Sequence, residues 1–224
     1  MFDLYIGNKN YSSWSLRPWL LMKHFDIPFR EHLVSVSGRD YNPLLKPVAG
    51  NARVPCLHEA DGFQVWDSLA IAETLAERYS AMWPADVRAR ARARSICAEM
   101  HSGFTYLRSA MPMNLNLKLK GRPATPEVQR DIDRIIEIWD EARGHFANGD
   151  GPWLFGDFSV ADAMFAPVAC RFDIYNVPLP TSAAAYRDTV LGHPALGEWY
   201  AAALVESEAH AHYDRFADDY GGPR

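Results

Sequence analysis

Apolar and polar positions alternate over Asp3-Leu4-Tyr5-Ile6-Gly7, a period of two that predicts a short buried strand. Trp19-Leu20-Leu21-Met22-Lys23-His24-Phe25 switches to helical spacing. Pro18 sits just before it and fits a first helical turn, where a missing N–H loses no intrahelical bond. A second strand is predicted over 27–34, entered through Pro28, and a Pro/Gly-punctuated loop with one helical turn over 41–50. Residues 54–58 and 64–66, joined through Asp61-Gly62, have the pattern of a hairpin. Ser68 then opens a helix over 69–79, with Leu69, Ala72, Leu75 and Ala76 on one face. The order is βαβ followed by ββα.

Residues 80–86 break this pattern and read as a linker. Beyond them β-branched runs are scarce. Helices are predicted over 87–111, ending before Pro112, and over 127–146, where Ile132, Ile135, Ile136 and Trp139 share a face. Another begins at Ser159, where Ser-x-x-Asp to Asp162 is a capping box. His193-Pro194-Ala195-Leu196 leads into a last helix reaching 208, and 216–224 reads as a polar, Gly-rich, frayed tail. There is no internal repeat. The expectation is an α/β domain over 1–79, the linker 80–86, and an all-α domain over 87–224.

Composition narrows the function. With 48% hydrophobic and 23% charged residues, the chain falls in the globular class. A net charge of −5 argues against nucleic acid as a partner. No apolar run reaches the roughly 20 residues of a membrane span, and no signal-peptide pattern opens the sequence. Three widely spaced cysteines form neither a disulfide framework nor a metal pattern, so no metal is expected and the compartment is read as cytoplasmic. The arginines at 88, 90, 92 and 94, spaced by two, go to nearly opposite sides of a helix and make no basic stripe.

The chemistry centres on the strand-to-helix turn Tyr11-Ser12-Ser13-Trp14-Ser15-Leu16-Arg17-Pro18. Free N–H groups and the positive dipole end at a helix start favour an anion. Hydroxyls placed there suit a thiolate, a phosphate or a carboxylate.

Four motifs then fall in order: Ser12-Ser13-x-Ser15-x-Arg17, Val54-Pro55, Asp67-Ser68-Leu69-Ala70-Ile71, and the capping box at Ser159. Together they resemble the glutathione transferase family over nearly the whole chain, and the serine pair with Arg17 most resembles its zeta-like, maleylacetoacetate isomerase-like branch. The resemblance implies a thioredoxin-like N-terminal domain, a helical C-terminal domain, a homodimer, and glutathione as co-substrate. Ser12, or Ser13 if the register shifts by one, would donate to the glutathione sulfur. The backbone of Val54, before a cis Pro55, would pair with the cysteinyl unit; Asp67 and Ser68 would hold the γ-glutamyl end. Arg53 or Lys46 would meet the glycyl carboxylate. This chain has Trp14 where the zeta-like motif has cysteine, and Asp67 where the family has glutamate or glutamine.

For the electrophile, the resemblance puts His101, Phe104, Arg108 and Met111 on a helix overlooking the site, with Trp14 closing the same pocket. A Met/aromatic stripe is also what a core face looks like. Arg171-Phe172 resembles a pair in zeta-like isomerases whose arginine meets a substrate carboxylate; a surface salt bridge is the plain alternative. The implied activity is attack of the glutathione thiolate on a small electrophile. The alternatives are cis–trans isomerisation of a maleyl ketoacid (maleylacetoacetate or maleylpyruvate type) and a non-enzymatic stress or scaffold protein of the same fold.

Overall fold

The computed structural model describes residues 1–35, 43–147 and 151–222. The start of the predicted 41–50 loop and the last two residues of the tail lie outside them. The N-terminal domain is a four-stranded sheet in the order β2-β1-β3-β4. Strand β1 (Phe2–Ile6) runs parallel to β2 (Phe29–Leu33), with Leu4 opposite Glu31. It is antiparallel to β3 (Cys56–His58), which pairs in turn with β4 (Gln64–Trp66). Phe2, Leu4 and Ile6 are buried and Asp3 and Tyr5 less so, as a period of two requires.

Helix α1 (Ser13–His24) begins earlier than the sequence suggested, so Pro18 lies inside it rather than in its first turn. Leu16, Trp19, Leu20, Leu21 and Met22 are all buried. Only one intrahelical bond, to the Trp14 carbonyl, is lost to the proline. Helix α2 (Ser68–Ala76) closes the domain three residues short of the predicted end.

The second domain is helical. Its first predicted helix is two: α3 (Val87–Ser102) and α4 (Thr105–Ala110). Gly103 caps α3 by donating its N–H to the Glu99 carbonyl, and Phe104 follows with φ +56°. Helix α5 (Pro126–Ala142) starts on Thr125, whose hydroxyl accepts the Val128 N–H at 3.3 Å. Helix α6 (Val160–Ile174) is buried along its length except at Asp173, the pattern of a central helix. It packs against α1, α3 and α7 (Thr181–Leu191), the last of which had no distinct sequence signal. Helix α8 (Pro194–Ala203) ends before the predicted 208.

The capping box forms, and Asp162 does more than cap. Its carboxylate also accepts the Leu154 N–H (3.0 Å) and the Tyr186 hydroxyl (2.9 Å). Burial raises this carboxyl to about 6, outweighing the hydrogen bonds that pull it down.

The tail is not frayed over its described part. Short helices α9 (Ala211–Asp214) and α10 (Phe216–Tyr220) end the chain, with Phe216 buried edge-on to Tyr175. Upstream, Glu206 accepts the backbone N–H groups of Lys9 and Asn10 at 2.7 and 3.0 Å. Asp214 accepts from Tyr11 Oη and Asn114 Nδ2, each at 2.9 Å. The C-terminal segment is thereby strapped to the turn that carries Ser12 and Ser13.

Candidate active site

The early start of α1 decides the geometry of the serine turn. Ser12 becomes the N-cap residue and Ser13 the first helical residue, their N–H groups donating to the Asn8 and Tyr11 carbonyls at 3.0 and 2.9 Å. Ser12 makes no side-chain cap bond. Its Oγ instead donates to Ser15 Oγ at 2.7 Å, which accepts the Gly7 N–H at 3.1 Å. Ser13 Oγ accepts from Arg171 Nη2 at 3.2 Å.

These hydroxyls open into a cleft of about 620 Å³ between the two domains. Its N-terminal wall includes Arg53, Val54, Pro55, Asp67 and Ser68. The Val54–Pro55 bond is cis, and the Val54 N–H and C=O have no backbone partner among the described residues. Such groups suit pairing with an extended ligand backbone.

Asp67 has φ +78°, where non-glycine residues are strained. Its side chain holds that backbone in place. Oδ1 accepts the Leu69 N–H (2.8 Å) and Ala70 N–H (3.4 Å), while Oδ2 accepts from His101 Nε2 at 2.6 Å. The following Ser68 is 1% exposed and borders the cleft, and its buried hydroxyl has no partner among the described residues. A buried hydroxyl without a partner costs free energy, and a ligand carboxylate at this helix N-terminus would satisfy it.

Positive charge gathers behind these groups. Arg17 is 2% exposed, donates to the Met164 carbonyl at 3.1 Å, and stacks 4.0 Å from the Trp14 ring centroid. Burial pushes its guanidinium down to about 9, with repulsion from Arg171 and Arg108 adding to the effect. Arg171 is likewise pushed down to about 10 by burial. Both stay charged near neutral pH. Arg108 lies 4.8 Å from the same Trp14 ring and ties the carbonyls of His101 and Gly103.

Two family models match the sequence: Glutathione S-transferase, N-terminal domain, over residues 11–78, and Glutathione S-transferase, C-terminal domain, over residues 122–202. The chain belongs to the glutathione S-transferase family. Solved structures with the same fold include a glutathione transferase homolog from Burkholderia gl BGR1 with bound glutathione. It is 23% identical, with 92% of this chain and 99% of that one covered at a TM-score of 0.67. A glutathione transferase from Methylococcus capsulatus is 21% identical over 92% and 100% of the chains, with a TM-score of 0.65. Ure2p in complex with glutathione is 17% identical over 92% and 94%, with a TM-score of 0.66. No curated protein matches the sequence.

Within this transferase fold, the candidate residues separate. Ser12, Ser13, Trp14, Arg53, Val54, Pro55, Asp67 and Ser68 all line the cleft, as do His101, Arg108 and Arg171. Lys46 does not; its amino group donates to the Gly50 carbonyl at 2.8 Å. Phe104 and Met111 are also outside the lining, at 7% and 0% exposure in the core. The left-handed Phe104 breaks the single helix on which the resemblance placed them. The sequence reading missed Tyr11, His210, His212 and Tyr213, which form a further wall. Tyr213 stacks on Tyr11 at 5.3 Å between centroids. Nothing local in the sequence marks the last three, because they reach the cleft only through the strap at Glu206 and Asp214.

Proposed function

We propose that the chain is a serine-type glutathione transferase whose Ser12/Ser13 turn stabilises the glutathione thiolate for attack on a small electrophile. The observation that carries this is the set of unmet polar groups along the N-terminal wall. Among the described residues, the Val54 main chain and the buried Ser68 hydroxyl lack partners, and they lie on the wall that also holds Ser12 and Ser13. Such groups favour a cleft that holds a polar ligand, and turnover separates the enzyme from a glutathione-binding scaffold. In this reading Val54 pairs with the cysteinyl backbone, Ser68 and the Asp67 turn take the γ-glutamyl end, and Arg53 meets the glycyl carboxylate. Arg53 is favoured over Lys46 because it lines the cleft.

A free thiol has a pKa of about 8.5, so little thiolate exists at neutral pH. Helix N–H groups, serine hydroxyls and nearby arginines all favour the charged form. The thiolate would act as the nucleophile, with the proton released to solvent. Zeta-like membership, a cytoplasmic location and a homodimer belong to the same proposal. The isomerase alternative draws less support, since Arg171, its proposed carboxylate anchor, is already held by three groups of the protein.

Retention on glutathione resin, followed by conjugation assays with a panel of electrophiles and maleyl ketoacids, tests the proposal. Binding with conjugation supports it. Binding without turnover of any substrate would favour the scaffold reading, and turnover of the ketoacid alone the isomerase.

A further inference from the structure

Two adjacent serines compete for the role of thiolate donor, and Arg171 discriminates between them. It reaches the turn from α6, in the other domain, and is 5% exposed. Nε donates to the Met111 carbonyl at 2.8 Å and Nη1 to the Pro167 carbonyl at 3.2 Å, which fixes the plane of the guanidinium. Nη2 is left aimed at Ser13 Oγ. A guanidinium has donors only, so Ser13 is the acceptor in this contact. Its single proton must go elsewhere, and Ser13 Oγ has no other partner among the described residues. Ser12, by contrast, is turned along the loop toward Ser15.

We infer that Arg171 is a positioning residue that turns the Ser13 hydroxyl proton into the cleft, making Ser13 rather than Ser12 the hydrogen-bond donor to the glutathione thiolate. This rests on the reading of the cleft as a glutathione site. The fixed positive charge behind Ser13 Oγ polarises the O–H bond and strengthens its hydrogen bond to an anion. A single N–H···O contact also holds the residue at the head of α1, the positive end of the helix dipole. Arg171 is thereby a part of the thiolate site and not an anchor for a second substrate.

Other charged and titratable groups line the cleft with the serine pair. They are the Asp67–His101 pair from α2 and α3, Arg108 from α4, and His210, His212 and Tyr213 from the C-terminal segment, with Arg17 behind Trp14. All remain in every variant below, so differences between variants isolate the serines and Arg171.

The test is a pH titration of bound glutathione by thiolate absorbance in the unmodified protein, Ser12→Ala, Ser13→Ala, Arg171→Lys and the Ser13→Ala/Arg171→Lys double variant. Lysine keeps the charge but loses the planar fork. Ser13→Ala is expected to raise the thiol pKa by about one unit, or about tenfold less thiolate at a fixed pH below it. Ser12→Ala should shift it less. Arg171→Lys should raise it when Ser13 is present and add nothing in the Ser13→Ala background. A larger shift for Ser12→Ala than for Ser13→Ala overturns the inference. So do additive effects in the double variant, or an Arg171→Lys that only raises KM for a carboxylated electrophile. The two serine variants keep Arg171 and its bonds to the Met111 and Pro167 carbonyls, and their comparison decides the matter even if Arg171→Lys does not fold. Calorimetry with glutathione on the unmodified protein separates the levels. No binding removes the glutathione reading itself, while binding with an unmoved thiol pKa in Ser13→Ala removes only the role assigned to Ser13 and Arg171.

Discussion

Ser68 is proposed to meet the ligand, whereas Asp162 serves the fold. The Ser68 hydroxyl is buried without a partner among the described residues, so its removal takes away a cost of the ligand-free protein along with the proposed contact to the ligand. Ser68→Ala should therefore raise the melting temperature slightly while weakening glutathione binding about 10- to 100-fold, the size of one hydrogen bond to a charged group. Thermal melts and calorimetry on the same sample check this; a variant that loses stability and keeps affinity would make Ser68 structural. Asp162 is the opposite case. Its carboxylate satisfies the Ser159 and Leu154 N–H groups and the Tyr186 hydroxyl, and Asp162→Ala strands all three, at about 1–3 kcal/mol each. The folded protein holds this carboxyl at about 6 against an ordinary 3.8. Between those values the folded state binds more proton than the unfolded, so the stability that Asp162 confers is largest at low pH and declines as pH rises through the window. Denaturant melts of the unmodified protein against Asp162→Asn should show the gap between them narrowing from pH 4 towards 6 and level above it. Both residues stand out in the sequence by their place at a helix start, but their difference does not, because burial and partners are not encoded locally.

At the scale of elements, the strands and helix starts were legible wherever a local pattern coincided with burial. The alternation at β1, the Asp61-Gly62 hairpin and the capping box at α6 all correspond to formed elements. The start of α1 was not, since Pro18 suggests a first turn while tertiary burial of Leu16 and Trp19 extends the helix back to Ser13. That difference moves Ser13 from the turn before the helix into its first residue. The break between α3 and α4 was equally hidden, although Gly103 was its one local signal. A Cβ there would lie 2.7 Å from the Glu99 carbonyl oxygen. Gly103→Ala should cost about 1–3 kcal/mol by forcing this backbone apart, and should disturb Arg108, which is tied to the Gly103 carbonyl. A denaturation midpoint equal to that of the unmodified protein would show that the turn relaxes freely.

On the scale of the molecule, the site exists because the domains and the C-terminal segment close on one turn. Arg171 of α6 and the strap at Glu206 and Asp214 converge there from more than 150 residues away in sequence, contacts that no local pattern announces. The proposed homodimer belongs to this scale. Phe63 and Trp66 at the hairpin, beside the edge strand β4, and Val87 at the start of α3 are large and exposed. Light scattering at micromolar concentration should give twice the chain mass, and Phe63→Glu should shift the protein towards monomer. A monomer in the unmodified protein would contradict the assembly but leave the cleft intact. The central claim is that this cleft binds glutathione and holds it as a thiolate. Titrating bound glutathione by thiolate absorbance tests it most directly. The expected result is a pKa at least about one unit below the 8.5 of a free thiol, whereas a bound thiol titrating with the free one, or no binding, would contradict the account.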